Sequence, residues 1–157
     1  VGSEMCIRDR FNTYAPFVRQ MADTVMRSAT TRGYIKTLLG RRCHFDMWEP
    51  RQYGTGRPMK HKEAMHEYNG DIKRAFVYKA LNKLIQGSAA DMTKKAMLDC
   101  YNASYRPLLQ VHDELVFSVS DKKEVEGIVK TMEKAVLLEV PNKVDAEIGE
   151  NWGDSMS

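Results

Sequence analysis

The chain has 157 residues, 43% of them apolar, and a net charge of +3, which is enough for one domain with a real core. No window is long or apolar enough to span a membrane, no secretory n-region and h-region pair is present, and the three scattered cysteines, Cys6, Cys43 and Cys100, form no C-x-x-C, so a zinc site or disulfide framework is not expected and a reducing, intracellular compartment is. The small net charge conceals nine Lys/Arg against two acids over residues 27–62 and eleven acids against five lysines over residues 113–157; a basic block can follow a phosphate backbone and acids at a turn can hold metal ions, although either run can also be a solvated face.

The chain opens on Val1 rather than Met, which suggests an incomplete frame or a processed end. Residues 1–10, VGSEMCIRDR, have no usable periodicity and are expected to be an extraneous tail. Residues 14–32 predict a helix: Pro16 suits its first turn, Phe17, Met21 and Val25 recur at fours, and Gly33 follows as a stop. Tyr34 to Leu38 and Arg42 to Phe45 flank Leu39-Gly40-Arg41, a hairpin tip. Residues 46–72 carry Pro50, Gly54, Gly56, Pro58 and Gly70 among charges. They read as a long basic loop with one short helical turn, a length that usually signals function or mobility.

Residues 74–102 predict the dominant helix, with Leu81, Ile85, Ala89, Met92, Ala96 and Cys100 at threes and fours. Gly87 weakens its middle by about 1 kcal/mol relative to Ala, which points to close approach of another backbone or a ligand. Asp121 and Glu124 form a capping box that opens a helix over 122–139, with Val125, Val129, Met132 and Val136 inward and Pro141 beyond its end. Val144 to Ile148 alternates as a short strand. The order of elements predicts an α+β domain, an antiparallel sheet with helices on one face.

Between the long helix and the capping box lies LLQVHDELVFSV, Leu108 to Val119. As one continuous strand it would bury Asp113 among Leu109, Val111, Leu115 and Phe117, at several kcal/mol for an unpaired carboxylate. As a hairpin it places His112-Asp113-Glu114 at the tip, both carboxylates projecting from the sheet edge, and this second arrangement is the cheaper. Adjacent carboxylates on a rigid turn suit Mg²⁺, which takes one or two carboxylates plus substrate phosphates. A polar turn that merely keeps the chain soluble would look the same. His-Asp also occurs in metal-dependent phosphohydrolases, but His44, His61 and His66 do not supply the further ligands these need.

Four stretches in order carry a resemblance. LLQVHDELVFSV resembles motif C of family A DNA polymerases, the group of bacterial DNA polymerase I and many phage replicases. ALNKLIQGSAADMTKKAM, Ala80 to Met97, is similar to the helix preceding that motif, GYIKTLLGRR, Gly33 to Arg42, to the segment after the fingers, and GENW, Gly149 to Trp152, to the C-terminal end. The resemblance covers residues 11–157, and the long 46–72 segment resembles phage-type members. It implies DNA-templated DNA synthesis by two-metal nucleotidyl transfer, with Mg²⁺ as cofactor and primer-template DNA and deoxynucleoside triphosphates as partners. The expected setting is the cytoplasm of a bacterial or phage-infected cell.

The resemblance implies that Asp113 is the motif C metal ligand and Glu114 a supporting carboxylate, with His112 touching the primer terminus. Asn82 and Gln86, four apart on one helical face, would meet the minor-groove acceptors that every base pair shows in nearly the same place, and Gln110 would add another such contact. Ordinary exposed polar residues would have the same spacing. Arg41 and Arg42, with the basic loop, would hold duplex phosphates, whereas Tyr34, Trp48 and Tyr53 would serve packing. Neither DYS-x-x-E (motif A) nor R-x-x-x-K-x-x-x-F/Y-G (motif B) occurs in the chain. The expectation is therefore an incomplete domain: a C-terminal palm fragment with half of a metal site, inactive without the remainder of the polymerase chain. A module that clamps duplex DNA without chemistry is the alternative.

Overall fold

The computed structural model describes residues 13–52, 54 and 56–154. The tail over residues 1–10, with Cys6, and also Tyr53 lie outside the described residues. The chain divides into two compact units, Val1–Gly87 and Ser88–Ser157.

The first unit begins with helix α1, Pro16–Arg32. Pro16 starts it because a helix's first N–H groups have no intrahelical partner to lose. Gly33 ends it in the left-handed region, φ 78°, and donates its N–H to Ala29 O at 3.0 Å. Only the C-terminal half of the predicted apolar stripe is covered. Val25, Met26 and Ala29 join the core with Ile35, Phe45 and Ala80, whereas Phe17 and Met21 are exposed.

Strands β1, Tyr34–Lys36, and β2, Arg42–His44, form the predicted antiparallel hairpin with Ile35 opposite Cys43. Thr37 closes its tip, since its N–H donates to Arg41 O at 2.9 Å and its hydroxyl accepts from Arg41 N at 3.0 Å.

The expected loop over 46–72 is instead ordered, and it is not basic. Strand β3, Met47–Pro50, lies between β4, Met59–Lys60, and β5, Ile72–Arg74, in a three-stranded antiparallel sheet, and helix α2, His61–Glu67, connects the last two. Four Lys/Arg in 46–72 face five acids, and cross-strand charges pair: Arg51 with Asp71 at 3.2 Å and Lys73 with Glu49 at 3.7 Å. Its pairing is non-local, Trp48 opposite Arg74, so no run of alternation reveals it.

The long helix starts later than periodicity predicts. Phe76 adopts φ 61°, a costly conformation for a bulky residue. That break is followed by a 3-10 turn, Val77–Lys79, and then by helix α3, Ala80–Asn102. Of its predicted stripe, Ala96 and Cys100 are buried, but Ile85 is 54% exposed.

In the second unit, β6, Pro107–Val111, and β7, Glu114–Phe117, form the antiparallel hairpin expected at motif C. The register shifts between Pro107 and Leu109, a one-residue bulge at Leu108 that leaves this side chain exposed. Helix α4, Lys122–Lys134, has the predicted cap: Asp121 Oδ1 accepts from Glu124 N at 2.9 Å, and Glu124 Oε2 accepts from Ser120 N at 2.8 Å. It stops short of residue 139, because the exposed Leu137, Leu138 and Val140 have nothing to pack a further turn against. The strand expected over 144–148 is absent, since alternation makes a strand only where a backbone neighbour pairs with it. Val144 N–H donates instead to Glu133 Oε1 at 3.3 Å.

The α+β class holds, but among the described residues the expected single sheet is three small ones, of two, three and two strands. Each contains only strands that neighbouring segments of this chain can pair.

Candidate functional site

The hairpin β6–β7 settles the choice posed by LLQVHDELVFSV. Val111 pairs with Glu114, Gln110 with Leu115 and Leu109 with Val116, so the turn is two residues long, His112-Asp113. Glu114 therefore belongs to β7 and not to a three-residue tip. Asp113 is exposed at the turn and Glu114 beside it is exposed too. No hydrogen bond or ion pair within the described residues engages either carboxylate. Both oxygen pairs thus face solvent from a rigid two-stranded support.

His112 has φ 53°, whereas Asp113 does not have positive φ. That is the sign pattern of a type II′ turn, which usually carries glycine at its first central position. An L-residue there costs roughly 1–2 kcal/mol. The Gln110 side chain offsets part of it: its Nε2 donates to His112 O at 3.1 Å. Gln110, expected to contact a minor groove, is thus engaged within its own hairpin.

Asn82 and Gln86 lie on α3 in the first unit, both exposed. Four residues of helix separate them by about 6 Å along the axis, on one face. The helix is held by the β1–β2 hairpin through Arg41, whose Nη2 donates to Gly87 O at 3.0 Å. Gly87 is glycine for a packing reason, because a Cβ there would lie 3.1 Å from Thr37 Cγ2 and 3.3 Å from Arg41 Nη2. What approaches Gly87 is thus side chains of the hairpin, where another backbone or a ligand was expected. Arg42 lies over the Tyr34 ring at 4.7 Å and Tyr34 meets His44 at 5.9 Å, so Tyr34 packs within the hairpin, as expected.

Arg74 has a role that its sequence neighbourhood does not signal. Its Nε donates to Thr30 O at 3.1 Å and its Nη1 to Phe45 O at 2.9 Å. Its guanidinium lies 4.5 Å from the centre of the Trp48 ring, which also meets His61 edge-on at 4.8 Å. One side chain thereby joins the end of α1, the end of the first hairpin and the three-stranded sheet. An open groove of about 930 Å³, lined by Arg57, Lys62, His66 and Tyr68 among others, belongs to that sheet's region and contains none of the residues expected at the metal or DNA site.

The chemistry available at the hairpin tip is oxygen donation to a hard cation. Mg²⁺ fits a site of one or two protein carboxylates completed by substrate phosphates, and Asp113 with Glu114 offers that much. Among the described residues no three His, Cys, Asp or Glu side chains converge, so a cage built from this chain alone is not what the donor set suggests.

Known proteins are similar in sequence along nearly the whole chain. A DNA-directed DNA polymerase of Pseudomonas phage M6 is 40% identical over 148 residues, covering 94% of this chain and 19% of that protein. DNA polymerase I of Geobacillus stearothermophilus is 35% identical over 158 residues, covering 94% of this chain and 16% of that protein. A solved structure described as the POL domain of Pol1 from M. smegmatis in complex with DNA primer-template and dNTP superposes with a TM-score of 0.63 at 32% identity, covering 89% of this chain and 23% of that one. The chain therefore spans about a quarter or less of each relative's length. The model for DNA polymerase family A matches residues 3–154, and the chain belongs to that family.

Proposed function

We propose that this chain is the part of a DNA-directed DNA polymerase, of phage or bacterial type, that presents the motif C carboxylate to the primer terminus. The observation that carries this reading is Asp113: exposed and unpaired on a two-residue turn, in a chain that belongs to family A. The reaction is DNA-templated nucleotidyl transfer, with primer-template DNA and deoxynucleoside triphosphates as substrates.

Asp113 and Glu114 would hold Mg²⁺, Asp113 as direct ligand and Glu114 in support. When bound, two such ions supply charge stabilisation at the reacting phosphorus and a more acidic 3′-hydroxyl. The protein's own contribution is position. The hairpin presents Asp113 without burying it, so its oxygens are open to a cation. His112, next in the turn, would touch the primer terminus. Asn82 and Gln86 would donate amide N–H groups to minor-groove acceptors, which sit alike for all correct base pairs, so pair geometry is checked without reading sequence. Arg41 and Arg42 would contact phosphates, a salt-sensitive term.

One carboxylate turn does not complete a two-metal site. The remainder of the polymerase chain would supply the second ligand strand and the triphosphate grip, so these 157 residues alone are expected to be inactive, and the working enzyme to act in a bacterial or phage-infected cytoplasm. The test is Asp113→Ala in the full-length polymerase. Primer extension should vanish while primer-template binding stays within a few-fold; near-normal extension would refute the assignment.

A further inference from the structure

We infer that Gln110 is a positioning residue that fixes the aim of Asp113 by locking the peptide between His112 and Asp113. This rests on the function proposed above and adds to it how the metal-binding carboxylate is oriented.

A two-residue hairpin turn has two favoured forms, I′ and II′, which differ in whether the second central residue also has positive φ. Interconverting them rotates the central peptide, whose carbonyl belongs here to His112 and whose N–H belongs to Asp113. The direction of the Asp113 side chain changes with it. His112 is positive at φ 53° and Asp113 is not, so one form is populated although no glycine favours it.

The Gln110 amide holds that form. Its Nε2 donates to His112 O at 3.1 Å, the one atom that moves most if the central peptide turns over. Gln110 reaches it from the end of β6, two residues before the carbonyl it bonds. The side chain is exposed, so its amide contributes no core packing. Its polar end is occupied by the turn, which explains a glutamine at this position without a DNA contact.

The test uses the full-length polymerase carrying Gln110→Met, which keeps the shape and removes the donor. In the enzyme without metal or DNA, hydrogen exchange at the Glu114 amide, the first of β7 after the turn, should quicken about fivefold, the population shift that one net hydrogen bond supports. The Mg²⁺ concentration giving half-maximal single-turnover incorporation should rise by about the same factor, while primer-template affinity and discrimination at a mismatched terminus stay unchanged.

Unchanged exchange and unchanged Mg²⁺ dependence would overturn the inference. So would a defect confined to primer-template affinity or mismatch discrimination, which would make Gln110 a minor-groove reader. If Asp113→Ala remains active, the proposed function falls; if Asp113 is essential and Gln110→Met is silent, only this inference does.

Discussion

Substituting Gly33 by alanine should loosen the first unit. Two terms set the size. Gly33 sits at φ 78°, and an L-residue in the left-handed region costs about 1–2 kcal/mol. The new Cβ would also lie 2.7 Å from Arg74 Cζ. A flexible side chain could ordinarily swing away, but this guanidinium is held by Thr30 O, Phe45 O and the Trp48 ring. Losing hydrogen bonds to a charged group costs roughly 1–3 kcal/mol, so with the backbone cost the total should be about 2–5 kcal/mol. The assay is amide hydrogen exchange in the full-length polymerase, reading local opening at Ile35 and Phe45. Gly33→Asn, which tolerates positive φ better, should show mainly the Arg74 part. Gly33→Ala combined with Arg74→Ala should cost less than the two changes added, because they share one contact. A cost below about 0.5 kcal/mol for Gly33→Ala would refute the reasoning, since that is the scatter of neutral surface substitutions.

Burial, and secondarily the Asp99 carboxylate, raises the Cys100 thiol above its ordinary value. A raised folded-state value means that the unfolded thiol ionises first. Stability from this group is therefore intact below about pH 8.5 and declines as pH rises towards the folded value; denaturation midpoints against pH should show the decline, and Cys100→Ala should remove it. Iodoacetamide should modify the half-buried Cys43 well before Cys100, which is 0% exposed; equal rates would contradict that packing. Gln86→Ala should reduce discrimination against a mismatched pair in the bound duplex by about tenfold, the worth of one good base-edge contact. Mismatch-extension ratios check this, and an unchanged ratio would remove Gln86 from the interface.

How much was legible follows from the range of each interaction. The motif C hairpin could be read because three polar residues interrupt an apolar alternation, although the two-residue turn assigns Glu114 to the strand. The Asp121–Glu124 cap and the Pro16 start with the Gly33 stop were legible because each is satisfied within a few residues. The three-stranded sheet was not, because Trp48 meets Arg74 across an intervening helix. Arg74 itself looked like any surface cation. The 144–148 segment shows the converse: its pattern is correct for a strand, and among the described residues no partner backbone takes it up. At the site, the exposure of Asp113, Asn82 and Gln86 agrees with the sequence reading. Gln110 bonds the turn itself, a short-range contact that the spacing of the motif does not signal.

The central claim is that Asp113 holds metal at the primer terminus. It is tested most directly by counting Mn²⁺ ions, by electron paramagnetic resonance, in the full-length polymerase bound to a dideoxy-terminated primer-template and the next complementary nucleotide. The parent enzyme should hold two ions and the Asp113→Ala variant fewer, with DNA still bound; two ions of unchanged affinity in the variant would contradict the account.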